Sequence, residues 1–413
     1  MKKLSTKFCM SHFLNISVLK NNSQYRLLYL GQFISFIGTM LTQVGLPWQI
    51  YQLTHSSLKV GLLSLAQLFP LLFTALIGGV LADRLNRYRL AILTECCLIL
   101  GCLGLVINSS LNHPHLEFIY LIAAFMSAIT GLHRPALESI TQQLVSKDHY
   151  KSIAALSSFK YGFCMIVGPS IGGFLIGNYG ITFNFIFDLA TFSISLFCIS
   201  IMKPVIQKTQ QKHPPVLQAL GDGLRFTFTR QELLGSYLVD FIAMLFAVPN
   251  ALFPAIAEHF GGAKTLGLLY AAPAFGALII SFLSGWTVRI KYDGKAIAIA
   301  AGFWGLSVIG FGLTTSLFPA LIFLTLSGMF DAISGIFRSA LWNKVIPHDF
   351  RGRLAGIEMI SYMGGPRLGD ARAGFMAAHF GIPCALISGG IVCLIAIASC
   401  CLALPKYWHY RQE

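Results

Sequence analysis

Runs of 20 to 28 mostly apolar residues recur twelve times along this chain, with only short polar segments between most of them. They fall at 26–53, 58–82, 88–109, 117–142, 151–177 and 182–202, then at 233–257, 265–288, 295–314, 318–343, 354–379 and 384–404. A helix crosses the ~30 Å hydrocarbon core of a bilayer with about 20 residues, so each run is long enough to span. Lipid offers no partners to backbone N–H and C=O groups, which leaves the helix as the form such runs can take. Composition agrees, with 11 % charged residues and a mean hydropathy of +0.69, where soluble proteins carry about 25 % charge. An all-α membrane protein with twelve transmembrane helices is expected. Its divisions are an N-terminal segment (1–25), a first six-helix bundle (26–202), a linker (203–232), a second bundle (233–404) and a tail (405–413).

Lysine and arginine orient it. Of 30 such residues, 23 fall in or beside the termini, the linker and every second loop, 2 (Lys59 and Lys264) on the opposite face, and 5 within spans. Positive loops stay in the cytoplasm, so both termini are expected there. The same placement accounts for the net charge of +14 without any nucleic-acid partner. The linker carries a Pro214-Pro215 break and then an amphipathic stretch, Val216 to Phe228, suited to lying along the membrane surface.

Other chemistries lack their signatures. The ten cysteines form no CxxC and no Cys/His cluster, and no HExxH occurs, so neither a metal nor another cofactor is expected. GxxxxGK[ST] is absent, which removes ATP as the driving force, and no nucleophile–base set suggests an enzyme. The first 25 residues have no apolar core of a cleaved signal.

The two halves repeat. Gly61-Leu62-Leu63 and Gly79 match Gly267-Leu268-Leu269 and Gly285 at an offset of 206. Gly131 to Leu137 matches Gly335 to Leu341 at 204, and Asp148, Ala154, Gly168 and Gly173-Phe174 match Asp349, Ala355, Gly369 and Gly374-Phe375 at 201. A duplicated six-helix unit with a cavity between its copies is implied.

Two motifs carry a resemblance. The loop Gly79-Val80-Leu81-Ala82-Asp83-Arg84-Leu85-Asn86-Arg87, between spans 2 and 3, resembles the corresponding loop of major facilitator superfamily transporters. Asn86 stands where that family has glycine, and a left-handed turn is expected there because asparagine tolerates one. Span 5 holds Gly168-Pro169-Ser170-Ile171-Gly172-Gly173, a face on which a second helix can approach closely, and it resembles the signature of the family's antiporters and exporters. The span-4 arginine of proton-coupled drug exporters is missing, with Ser127 in its slot. Further stretches (Asp240 to Phe246, Gly267 to Pro273, Gly328 to Asp331, Arg351-Gly352-Arg353 and Leu368-Gly369-Asp370) resemble the enterobactin-exporter branch, within the third drug:proton antiporter group. The resemblance implies two pseudo-symmetric bundles, a monomer in the inner membrane, and efflux of an anionic siderophore in exchange for protons. In it Gly79, Asp83, Arg84, Arg87, Gly168, Pro169, Gly172 and Gly173 act in gating, with membrane lipid as a second partner of the loop arginines.

Charges inside the spans are the residue-level test, since each is costly in a bilayer unless paired or hydrated. Arg134 and Arg338, at equivalent repeat positions, and Arg372 and Arg367 in span 11 are candidates for contact with an anionic substrate. The competing reading is pairing: Arg338 with Asp331 two turns away, Arg367 with Asp370 at i and i+3. Asp240, Asp331, Asp370 and Glu138 are candidates for proton coupling, with Glu138, four residues from Arg134, better placed to orient it. Glu95 and Asp188 rank lower because spans 3 and 6 are peripheral in the fold implied. A multidrug or macrolide pump of the same fold is the alternative, and a non-transporting receptor is the rival from another class.

Overall fold

The computed structural model describes residues 16–203, 216–347 and 350–411, without the side chains of 76–84, 147, 216–220, 351–353, 355–357, 359 and 360. Helices dominate and no strand occurs among the described residues. The first half contains α1 (Ser23–Thr54), α2 (Ser57–Arg84), α3 (Arg87–Ser109), α4 (Leu116–Leu144), α5 (Tyr150–Tyr179) and α6 (Ile181–Ser200). The second contains α7 (Gln231–Phe246), α8 (Ala263–Leu283), α9 (Asp293–Gly312), α10 (Leu317–Val345), α11 (Arg351–Phe380) and α12 (Ile382–Ala403). Among the described residues, eleven helices are long and apolar enough to cross a membrane. Beside them lies α11, equally long but carrying Glu358, Arg367, Asp370 and Arg372 along its length. The expected amphipathic stretch of the linker is a helix, Val216–Thr229.

The repeat is visible in backbone detail. α5 and α11 each end on a glycine with positive φ, Gly180 at 88° and Gly381 at 84°, which are 201 residues apart. Within the first half, α1 packs on α6 through glycines seven residues apart. A Cβ at Gly31 would lie 3.1 Å from Cys198, one at Gly45 2.7 Å from Asn184, and one at Gly38 would overlap Asp188 and Thr191. Asn184 donates to the Leu41 carbonyl at 3.0 Å. Small residues let the two helices approach until polar side chains reach across.

Span 7 departs from expectation. A single helix over 233–257 is expected, but α7 stops at Phe246, a 3₁₀ turn covers Asn250–Leu252, and a new helix runs Phe253–Phe260. Pro249 lacks an N–H and disfavours helical geometry at Val248, which breaks the ladder. Orphaned backbone groups result, and α11 satisfies them. Arg372 donates to the carbonyls of Leu245 (3.1 Å) and Phe246 (3.0 Å), and Asp370 accepts from the Ala251 N–H at 2.9 Å.

Asn86 also departs. It has φ −66°, not a left-handed turn, and its side chain caps α3 by accepting from the N–H groups of Tyr88 (3.0 Å) and Arg89 (3.2 Å). Capping is a more direct reason for asparagine there than backbone tolerance. Tyr88 in turn donates to the Ile199 carbonyl at 3.0 Å, tying the start of α3 to the end of α6.

Candidate functional site

The two halves close on each other at the end remote from the linker. Gly61 of α2 lies against Asp370, Ala371 and Gly374 of α11, and Gly267 of α8 lies against Pro169 and Gly173 of α5. These are the repeat-related glycines of the sequence, so the two crossings are equivalent by pseudo-symmetry. A Cβ at Gly61 would stand 2.8 Å from the Asp370 carbonyl, and one at Gly267 2.5 Å from that of Pro169. Polar contacts reinforce the same end: Gln52 donates to Glu258 at 3.2 Å, with His55 3.6 Å from the same carboxylate. Towards the linker the packing loosens. All but one of the buried residues of α5 lie from Cys164 onward, and Phe159 and Tyr161 before it are 46 % and 42 % exposed.

The glycine motif of α5 therefore serves two neighbours. Gly168 faces Met40 of α1 inside the first half, whereas Gly173 faces α8 across the halves, 2.6 Å from the Ala263 carbonyl if given a Cβ. Gly172 is looser, with its nearest atoms at 3.5 Å. Gly172→Ala is expected to leave expression and transport within about twofold of wild type, and Gly173→Ala to cut transport several-fold, as measured by export from cells.

The arginines of the central helices sort into four situations. Arg338 of α10 is 8 % exposed and forms an ion pair with Asp240 of α7, itself 4 % exposed. Its other arm reaches Asp331 at 3.8 Å, a distance the long arginine side chain covers along two turns of one face. Arg134, its repeat equivalent, stands open: its side chain is 56 % exposed and, among the described residues, pairs only with Glu138, at 3.2 Å and 63 % exposed. The difference lies in the partner helices. α7 supplies Asp240, and α1 contains no Asp or Glu over Ser23–Thr54. Arg367 is half-buried and makes no ion pair with Asp370, whose oxygens are occupied by Ala251 and, at 3.2 Å, the Ser64 hydroxyl. Arg372 is committed to the broken end of α7, stacked 5.5 Å over Phe246. That occupation explains its charge without a substrate.

Several features of this space had no counterpart in the sequence reading. Lys160 donates to Gln32 at 2.7 Å and sits 5.8 Å over the Tyr29 ring. Tyr161 of α5 and Tyr362 of α11 share a hydrogen bond between their hydroxyls. They are 201 residues apart, the offset of the repeat in these helices, so the bridge joins equivalent positions of the two halves. That offset was a readable signal. Arg134 and Asp331 both lie within electrostatic reach of Tyr161, which places the open arginine and an accessible carboxylate around one bridge. Of the gating candidates, Arg87 is buried at 4 % exposure, and the side-chain positions of Gly79, Asp83 and Arg84 lie outside the described residues.

Two repeat-related six-helix halves around a charged central space, closed at one end, are the arrangement of a membrane transporter. A family model described as transmembrane secretion effector matches residues 17–411. The chain belongs to that family, within the major facilitator superfamily, and is a multi-pass inner-membrane transporter. The enterobactin exporter EntS of Escherichia coli (strain K12) is 28 % identical over 404 residues, covering 97 % of each chain, and that of Shigella boydii serotype 18 matches equally. Among solved structures, a mutant of the nucleoside transporter NupG aligns with a TM-score of 0.77 at 12 % identity, over 92 % of this chain and 99 % of that one. A bacterial homologue of the lysosomal transporter Spinster, described as inward-facing and unoccupied, aligns at 0.72 and 15 % identity, over 95 % and 98 %. A bacterial homologue of the iron transporter ferroportin, also inward-facing, aligns at 0.67 and 14 % identity, over 93 % and 98 %.

Proposed function

We propose that the protein exports a siderophore, an anionic iron chelator, from the cytoplasm by alternating access in exchange for protons. The observation that carries this reading is Arg134, an arginine on a central helix left open to the inter-half space, whose one ion pair among the described residues is with the exposed Glu138. An ionisable side chain within a span that faces the space between the halves reads by default as functional. Its fork of N–H donors matches the oxygens of catecholates and carboxylates. Arg367 and Lys160 add positive charge, and the full-length likeness to enterobactin exporters points to the same cargo. With the linker end in the cytoplasm, as the distribution of lysine and arginine implies, the conformation described here is inward-facing and ready to load. Asp331, exposed at 43 % of its side chain, is a carboxylate open to that space, held 3.8 Å from Arg338.

Deleting the protein in its own cell under iron starvation is expected to strip chelating activity from the medium while it accumulates in lysates. Arg134→Ala is expected to lower export about tenfold or more with membrane levels unchanged, since a hydrogen bond to a charged group contributes roughly 1.5–3 kcal/mol. Unchanged secretion by the deletion strain overturns the cargo, and susceptibility to macrolides and dyes then decides for drug efflux.

A further inference from the structure

α3 and α4 hold a buried pair of titratable side chains that the transport reading leaves unused. Glu95 of α3 is fully buried, and Nε2 of His133 on α4 stands 3.0 Å from its Oε2. The other ring nitrogen of His133 meets the Thr94 hydroxyl at 2.7 Å, so the ring is held between two α3 residues. Among the described residues Oε1 of Glu95 has no hydrogen-bond partner and Oε2 has only the His133 contact. A carboxylate in such a place is expensive to keep charged.

Asp188 of α6 is equally buried and lies within electrostatic reach of Glu95, but it is held differently. It accepts from the Thr42 hydroxyl of α1, from the Cys102 thiol at 3.4 Å and from the Thr191 hydroxyl at 3.3 Å. Donors from three helices thus surround the Asp188 carboxylate. Glu95 has instead, among the described residues, one polar contact, the His133 imidazole. The remaining charged groups around the pair are few. α4 carries Arg134 and Glu138, which turn to the exposed side, and α3 carries Arg87 two turns away. α1 offers no ionisable side chain between Gln32 and Gln49, and the side chains of 76–84 on α2 are not described.

We propose that the Glu95–His133 pair is the site that binds the exchanged proton, an assignment that rests on the proton-antiport reading. Loading forms an N–H bond on the imidazole and takes the pair from net charge −1 to zero, with Glu95 supplying the counter-charge. Unloading breaks that bond and leaves the buried carboxylate without its counter-charge, within electrostatic reach of Asp188. His133 is the entry, its side chain 11 % exposed against none for Glu95. α4 carries the imidazole on one side and Arg134 on the next residue, so proton site and substrate space act on one helix.

The test compares the full chain in liposomes with Glu95→Gln and His133→Gln by pH-difference infrared spectroscopy between about pH 5 and pH 9. The wild type is expected to show an imidazole band changing together with a carboxylate band. Both should vanish in His133→Gln, and the coupling between them should vanish in Glu95→Gln. Three superimposable spectra overturn the proposal whatever the protein transports. Everted vesicles with enterobactin as probe give the functional arm: a pH gradient should speed wild-type uptake about tenfold or more and leave both variants unaffected. A wild type that ignores the gradient removes the antiport reading and this assignment together. A wild type that responds beside variants that respond equally removes this assignment alone. Glu95→Asp serves if glutamine there prevents folding; it should keep the response with a shifted pH midpoint, and an unshifted midpoint counts against the pair.

Discussion

Valine at both Gly61 and Gly267 stops export and traps the protein with its far end open. Each glycine lies where a Cβ would press on a backbone carbonyl of the other half, at 2.8 Å and 2.5 Å. Backbone cannot swing aside as a side-chain tip can, so the helices must separate. Overpacking of this kind costs about 1–3 kcal/mol per site. The cost falls only on the conformation in which these helices touch, so it shifts the balance between conformations rather than unfolding the chain. At 1.4 kcal/mol per tenfold, two sites move that balance by roughly one to four orders of magnitude. Distances between spin labels on Gln52 and Glu258 should lengthen in the double variant, with transport near background. Labels that stay at wild-type separation show that the crossings have slack the geometry does not reveal.

Asp240→Leu is the substitution expected to cost most in stability. It leaves the Arg338 guanidinium 8 % exposed with its buried carboxylate gone. Removing one partner of a buried pair typically costs about 3–5 kcal/mol, because the surviving charge is stranded. Asp331 remains 3.8 Å from the other arm, which puts the expectation at the lower bound. Thermal unfolding in detergent should fall markedly for Asp240→Leu and recover in Asp240→Leu with Arg338→Leu, since apolar replacements of both partners restore packing. A double variant as unstable as the single one would show that the pair's contribution is not electrostatic.

Much of the architecture was legible because lipid imposes one solution on long apolar runs, and because a duplicated chain states its own symmetry. The offsets at Gly61/Gly267 and Gly173/Gly374 marked the crossings between the halves before any coordinates, although as sequence they showed only a repeat. The pairing choices were less accessible. Whether Arg338 or Arg134 is paired depends on one carboxylate of α7 that α1 lacks, a comparison between helices far apart in sequence. Arg372 read as a functional charge because the break at Pro249 was not foreseen, and without that break nothing needs its donors. Glu95 and Asp188 were ranked low on the placement of their helices, yet the first half keeps both fully buried. Peripheral position says little about a side chain that points inward.

The interruption of α7 has a mechanical consequence. Its loose ends are bound to α11 through Arg372 and Asp370, and Asp370 also accepts from Ser64 of the other half. A helix that would otherwise be the most pliable in its bundle is thereby braced against its neighbour like a cracked beam splinted to a sound one. Bending strain is then carried by the strut as a whole, and the Ser64 contact is the rivet that must shear when the far end opens.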